Sequence, residues 1–347
     1  MAGQTTTTLP QRQLRNGLAV TEIGFGTAPI GGFRYQLSDT TAVDAMEALW
    51  QAGGRNYDSS PYYGYGRGEM RLGQFLRAAE RPGVVVSTKI GRVMRRIRPE
   101  DDRAALRPNG LEFWPEFDYS YDGAMRSLEQ SYLRLGVPKI DIVLIHDVDI
   151  WTHGSLDAAS RRFDEAMNGA YRALAELRRS GDIKAIGAGI NEQAWCRRFI
   201  EAGDFDCMML AGRYTLIDHQ PEVSELFDLC REKQVGILLA GTFNSGILAS
   251  GAGPEATFDY KPAPDTIQDK VRRVQEVCRR HNVGLPAAAI QFVLAEPVIK
   301  SAVLGAIHPD EVKANVASYR TPIPGAFWTE LKDRGLLAGN LPVPAGA

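Results

Sequence analysis

The sequence predicts an α/β fold, a (β/α)8 TIM barrel with long loops over the face where the strands end. Three observations point there. Eight short apolar runs of strand type recur along the 347 residues, and amphipathic segments of helical period separate them. A doubly wound open sheet would give the same alternation, but its dinucleotide site normally carries GxGxxG after the first strand. Here that stretch reads Gly24-Phe25-Gly26-Thr27-Ala28-Pro29, and proline stands where the third glycine belongs.

The strand runs, in order, are Ile23 to Thr27, Asn56 to Ser59, Val84 to Lys89, Ile140 to His146, Ile183 to Ala188, Asp206 to Leu210, Val235 to Ala240 and Ile299 to Leu304. Helical spacing of apolar residues covers Ala42 to Gln51, Gly68 to Ala79, Gly123 to Leu135, Ala166 to Arg179, Pro221 to Lys233 and Ile267 to Arg280. Two connections are long, Gly91 to Tyr121 and Thr242 to Thr266. Both follow strand ends, so both should overhang the active face, and Phe113, Trp114, Phe117, Tyr119 and Tyr121 in the first argue for an ordered lid. No repeat or linker divides the chain, so one domain over 1–347 is expected, with an N-terminal extension at 1–13 and a tail at 335–347.

Composition excludes several classes. Lys plus Arg at 40 against Asp plus Glu at 42 leaves a net charge of −2, which provides no field for nucleic acid or anionic lipid. No apolar stretch approaches the ~18 residues of a membrane span, and the polar N-terminus lacks a signal-peptide layout, so a cytoplasmic address is expected. Cys196, Cys207, Cys230 and Cys278 are scattered without CxxC or histidine at ligand spacing, which predicts buried free thiols and no metal site. The expected partner is a small sugar or carbonyl compound; the sequence sets no oligomeric state.

In a barrel, chemistry gathers where strands end, and polar residues finish three consecutive runs here. The second ends Tyr57-Asp58-Ser59-Ser60-Pro61-Tyr62-Tyr63-Gly64, the third Val86-Ser87-Thr88-Lys89, the fourth Ile142-Val143-Leu144-Ile145-His146-Asp147. Each residue alone has an ordinary structural explanation, such as a cap, a solvated charge or a satisfied polar group. Together, in this order, they resemble the aldo-keto reductase family. The resemblance implies NAD(P)-dependent hydride transfer with Asp58, Tyr63, Lys89 and His146 as the catalytic set. The phenol of Tyr63 would exchange the proton, Lys89 held by Asp58 would lower its pKa, and His146 would orient the substrate oxygen. His153, His219, His281 and His308 lack such a context and are expected to be structural or superficial.

The same resemblance implies cofactor positions. Gly26 and Thr27 end the first run. Asn191, in Gly187-Ala188-Gly189-Ile190-Asn191, would bind the carboxamide, although it lies one position late. Arg213 follows the sixth run, where Ala211 replaces the customary glutamine, and Ala240 stands where many members stack a tyrosine. Gly241, Phe243, Asn244, Ser245, Gly246 and Leu248 resemble the pyrophosphate loop, whose amides suit an anion. Gly305, Ile307, Glu311 and Asn315 resemble the adenosine site; Glu311 in place of the arginine of NADP-using relatives predicts NAD, with NADP possible. Trp114 is the expected sugar-stacking aromatic.

Gly189-Ile190-Asn191-Glu192, Ala211-Gly212-Arg213-Tyr214-Thr215-Leu216 and Phe243-Asn244-Ser245-Gly246-Ile247-Leu248 are similar to the aldose 1-dehydrogenase branch of L-fucose and D-threo-aldose type and to pyridoxal 4-dehydrogenases. The resemblance implies oxidation of an anomeric carbon to a lactone. NADPH-dependent aldehyde or ketone reduction and a cofactor-binding regulatory subunit are the alternatives.

Overall fold

The structure is a computed structural model that describes residues 8–34 and 36–346; residues 1–7 of the expected extension and residue 347 of the tail lie outside them. Eight parallel strands close into a barrel: β1 (Ile23–Gly26), β2 (Asn56–Asp58), β3 (Val85–Ile90), β4 (Ile142–His146), β5 (Ala185–Ile190), β6 (Cys207–Ala211), β7 (Gly236–Ala240) and β8 (Ile299–Gly305). Each pairs with its neighbours in sequence, and β8 returns to β1 with Ala302 opposite Ile23 and Gly305 opposite Gly26. All eight expected strands are present.

The two-residue period of a strand explains how one sequence serves two cores. Val86, Val143, Ile145, Ile186, Met208 and Leu239 point outward and join the large cluster with the helices. Val85, Ile142, Leu144, Ala185, Cys207, Met209, Leu238 and Val303 point inward and fill the barrel. The closed end is plugged by Leu14, Leu18 and Val20 of a hairpin, Gln11–Gln13 paired with Ala19–Thr21. Residues 8–13 are therefore part of the packed body: Leu9 is buried, and the Arg12 guanidinium donates to the carbonyls of Leu294, Glu296 and Ile299. Leu336, Leu337 and Leu341 bury part of the expected tail in the same way.

The helices Asp39–Ala52, Arg67–Arg77, Tyr121–Leu135, Pro221–Lys233 and Asp265–His281 lie where apolar spacing placed them. The expected helix over 166–179 is two, Leu156–Asn168 and Ala170–Ser180, broken at Gly169. A Cβ there would sit 2.6 Å from the Tyr119 carbonyl oxygen, so the chain turns at the one residue that admits the close approach. Gln193–Ala202, Leu285–Leu294 and Gly325–Asp333 are additional helices. Both long connections are ordered. Residues 91–121 carry a hairpin, Arg92–Arg96 with Phe113–Phe117, and 242–266 a smaller one, Thr257–Phe258 with Lys261–Pro262. All four cysteines are buried and free, and among the described residues no helix is long and apolar enough to cross a membrane.

Candidate active site

The inward face of each strand ends in one residue at the open mouth. On β2, β3 and β4 these are Asp58, Lys89 and His146; on β5 to β8 and β1 they are Gly189, Ala211, Ala240, Gly305 and Gly26. One side of the mouth thus carries chemistry and the other a floor of small residues. The alternation in Val85-Val86-Ser87-Thr88-Lys89 and Ile142-Val143-Leu144-Ile145-His146 sets this: the residues two and four before each polar tip pack inward below it.

Lys89 Nζ donates to Asp58 Oδ2 at 2.5 Å and to the Ser59 carbonyl at 2.8 Å, and Ser87 Oγ donates to Asp58 Oδ1 at 2.8 Å. The pair is buried, and burial pushes the Asp58 carboxyl up against the opposing pull of Lys89. Tyr63 follows on the loop after β2. Its carbonyl accepts from Gly68 N at 2.9 Å, and Gly64 next to it has φ 67° with its Cα against the Gly31 backbone; a Cβ would lie 2.0 Å from the Gly31 oxygen. Only glycine admits that contact, which fixes the Tyr63 ring toward the mouth. Lys89 Nζ stands 4.8 Å from the Tyr63 ring centroid, and the Tyr63 and His146 rings meet edge-on at 6.0 Å and 88°.

The expected lowering of the Tyr63 pKa by Lys89 is not the outcome. Burial raises it well above the usual tyrosine value, and the Asp58 and Asp147 carboxylates add to the rise, with Arg92 opposing. The reason is geometric: the ammonium is hydrogen-bonded to Asp58, so the phenol meets a nearly neutral pair.

His146 Nδ1 lies 3.0 Å from Ser60 Oγ and 3.2 Å from Arg92 Nη1, while its Nε2 is 3.5 Å from Asp147 Oδ1. Burial, then Arg92 and Lys89, hold the imidazole well below the usual histidine value. Tyr119, fully buried, donates to the His146 carbonyl at 2.7 Å, and His153 packs on Phe117 at 4.8 Å behind it. His153 is half-buried in the layer around the site, the structural one of the two expectations. Sequence reading quoted Ser60, Tyr62 and Asp147 within the motifs and Phe117 among the lid aromatics without giving them a role at the site, and it missed Arg92, which hairpin geometry brings in; its only local signal is that it closely follows the end of β3.

Trp114 stands apart from this group. It pairs with Arg95 in the hairpin, on the strand face opposite Phe117, with the Arg95 guanidinium 5.6 Å from its ring. Phe33, Tyr62 and Tyr65 form a cluster in edge-on contact at 5.1 to 5.8 Å, joined to the site through Arg92, which lies over Tyr62 and Phe117.

The remaining positions fit a nicotinamide dinucleotide unevenly. Asn191 Nδ2 is held by Asp147 Oδ1 at 3.1 Å and Asp149 Oδ2 at 2.9 Å, which aims its carbonyl oxygen as an acceptor for an amide NH2. Thr242 Oγ1, just past β7, is buried with no partner. Phe243 at φ −95°, ψ 11° is followed by Asn244 at φ 44°, the right-left pair of a backbone nest for an anion, and Ser245 and Gly246 continue at φ 62° and 115°. The side chains there face other tasks: Asn244 bonds Thr215, Ser245 Oγ accepts from Tyr260 N at 3.0 Å, and Leu248 is core. Arg213 is turned onto protein acceptors, donating to Asn191 O at 3.0 Å and to Asp218 and Asp259 at 3.2 to 3.3 Å. Thr27 is buried and donates to Ser59 Oγ at 2.8 Å. Glu311 Oε2 accepts from Ile307 N at 2.9 Å at the start of the helix Pro309–Arg320, with Asn315 one turn on. Among the described residues no three His, Cys, Asp or Glu side chains are grouped for a metal ion.

The sequence pattern of the Aldo/keto reductase family matches residues 22–334. The chain belongs to this family. It is 41% identical to the pyridoxal 4-dehydrogenase of Microbacterium luteolum over 339 residues, covering 93% of this chain and 96% of that one. It is 37% identical to a D-threo-aldose 1-dehydrogenase of a Pseudomonas species over 332 residues, covering 92% and 96%. In fold it matches an aldo-keto reductase from Bacillus halodurans with a TM-score of 0.72 at 22% identity, each chain covered to 98%. As an aldo-keto reductase it is an NAD(P)-dependent oxidoreductase acting at a carbonyl or alcohol carbon.

Proposed function

We propose that this aldo-keto reductase oxidises the hydroxyl-bearing carbon of a cyclic hemiacetal, of L-fucose or D-threo-aldose type, to a lactone. The observation that carries the chemistry is the convergence of the Tyr63 phenol and the His146 imidazole edge-on at 6.0 Å above the buried Lys89–Asp58 pair. His146 donates from Nε2 to the substrate oxygen and orients it. Tyr63, as phenolate, takes the hydroxyl proton while the C–H electron pair leaves as hydride and the C=O forms. A nicotinamide ring held at this mouth supplies the hydride acceptor. The small tips Ala211, Ala240 and Gly305 leave room for it, Asn191 accepts from its carboxamide, and the 243–246 backbone faces the pyrophosphate.

The relatives act by name on pyridoxal and on D-threo-aldose. Both substrates close to a ring with one carbon bearing a hydroxyl and a ring oxygen, the group this reading requires. The Phe33, Tyr62 and Tyr65 cluster favours a flat aromatic hemiacetal of pyridoxal type as the second reading.

NAD is the proposed cofactor. Glu311 holds its carboxylate at a helix N-terminus that would otherwise attract a 2'-phosphate. Lys313 is paired with Asp310, and Lys300 lies at the opposite end of β8, so neither offsets it. The test is a panel of aldoses, pyridoxal and simple aldehydes with each cofactor, followed by nicotinamide absorbance. Oxidation of at least one hemiacetal faster with NAD supports the reading. Fast aldehyde reduction with inert hemiacetals overturns it, as does cofactor binding without turnover.

A further inference from the structure

A neutral imidazole can carry its proton on either nitrogen, and only one choice lets His146 donate to a substrate. Arg92 decides which. Nδ1 has two neighbours, Ser60 Oγ at 3.0 Å and Arg92 Nη1 at 3.2 Å; the hydroxyl can donate or accept, but a guanidinium has donors only, so with Arg92 in place Nδ1 presents its lone pair and the proton sits on Nε2. The guanidinium is held for this task. Its side chain is 5% exposed, it lies between the rings of Tyr62 at 4.2 Å and Phe117 at 4.4 Å, and its Nη2 pairs with Asp147 Oδ2 at 2.9 Å. Asp147, with φ 56°, accepts from Asn191 Nδ2 at 3.1 Å on its other oxygen.

We propose that Arg92 is a positioning residue that locks His146 in the neutral Nε2–H tautomer, and that Asp147 ties this setting to Asn191 in one buried chain of charge-assisted hydrogen bonds. The use made of the Nε2 proton rests on the function proposed above; the tautomer itself does not. Five charged or titratable groups surround the imidazole. Tyr63 lies across the mouth, Lys89 on β3 with its partner Asp58 on β2, Arg92 on the hairpin, and Asp147 next in the chain. The two carboxylates favour an imidazolium, and each is neutralised by its own cation, Asp58 by Lys89 and Asp147 by Arg92. Without Arg92 nothing would oblige Nδ1 to stay unprotonated, and the Asp147 carboxylate, 3.5 Å from Nε2 and no longer neutralised, would favour the imidazolium.

The experiment is 15N NMR of the histidine-labelled protein without substrate, alongside pH–rate profiles of Arg92→Met and Arg92→Lys. In the wild type the His146 nitrogens are expected to keep the Nε2–H pattern without titrating between about pH 5 and 8. Arg92→Met is expected to move them toward the other tautomer or the imidazolium. It should also lower kcat by about 10²-fold and add an acid limb to the profile. Arg92→Lys, which keeps the charge and one donor, should restore the tautomer and flatten the limb. An Nδ1–H pattern or an ordinary titration in the wild type overturns the proposal even if the methionine variant does not fold. So does a folded Arg92→Met with the wild-type tautomer. Expected spectra together with no hemiacetal oxidation would sink the proposed function and leave this inference standing.

Discussion

Tyr63 is half-buried against two carboxylates and a cation that is already paired, and burial with the carboxylates raises its pKa, so its proton leaves only at alkaline pH. Oxidation should therefore climb with pH without levelling below the ordinary tyrosine value near 10, and reduction should be the easier direction at neutral pH. Tyr63→Phe is expected to lose about 10²- to 10⁴-fold in turnover and to bind cofactor as before, since no loop contact involves the hydroxyl. Turnover within tenfold of wild type would remove Tyr63 from the proton path. Lys89 supports the fold as well as the chemistry. Lys89→Met strands the Asp58 carboxylate in the barrel, at a cost of about 3–5 kcal/mol. A carboxyl whose folded pKa is raised binds its proton more tightly folded than unfolded, so stability falls as pH rises above the unfolded value near 4. In the variant that rise is larger. Its deficit against wild type, measured by denaturant unfolding, should shrink as pH is lowered from neutrality toward that value, and a pH-independent deficit would contradict the assignment.

At the scale of elements, the site is built by loops that glycine allows to touch. The turn after β2 meets the turn after β1 through Gly64 and Gly31, and Tyr63 is the residue immediately before that contact, on the side of β2. Gly64→Ala combines a left-handed φ with a clash against backbone, for about 2–4 kcal/mol. Because the strain falls on the Tyr63 turn, kcat should drop more than cofactor affinity. Equal losses in both would mean that the turn merely holds the fold. The helix Pro309–Arg320 exposes its N-terminus with Glu311 across it, and Glu311→Arg replaces an anion by a cation at that spot. The ratio of NADP to NAD efficiency is expected to rise by about tenfold or more, screened by solvent because the side chain is exposed. An unchanged ratio would remove Glu311 from cofactor choice.

Over the whole molecule, closure of the barrel depends on residues nearly 300 positions apart. Arg12 in the N-terminal hairpin reaches three carbonyls around the start of β8 and pairs with Glu22 at 2.6 Å. Arg12→Met would leave these partly buried acceptors unmatched and is expected to cost about 1–3 kcal/mol in denaturant unfolding, with catalysis at the far end of the barrel unchanged. A fall in kcat without a fall in stability would show that the two ends are coupled in a way the packing does not suggest.

The strands, most of the helices and the positions of Asp58, Lys89 and His146 were legible in the chain, because periodicity and strand ends are local properties that burial of one face enforces. The family resemblance added Tyr63 and the cofactor loop. Tertiary structure alone decided four things. It folded residues 8–13 under the barrel, it sent Trp114 to the outer face of its hairpin, and it turned Arg213 onto Asp218 and Asp259. It also put Arg92 against His146, which no spacing along the chain encodes. Hydrophobic alternation fixes which face of a strand is buried. Which charges meet over the mouth depends on how two long loops fold across it, and that is settled only when the barrel has closed beneath them.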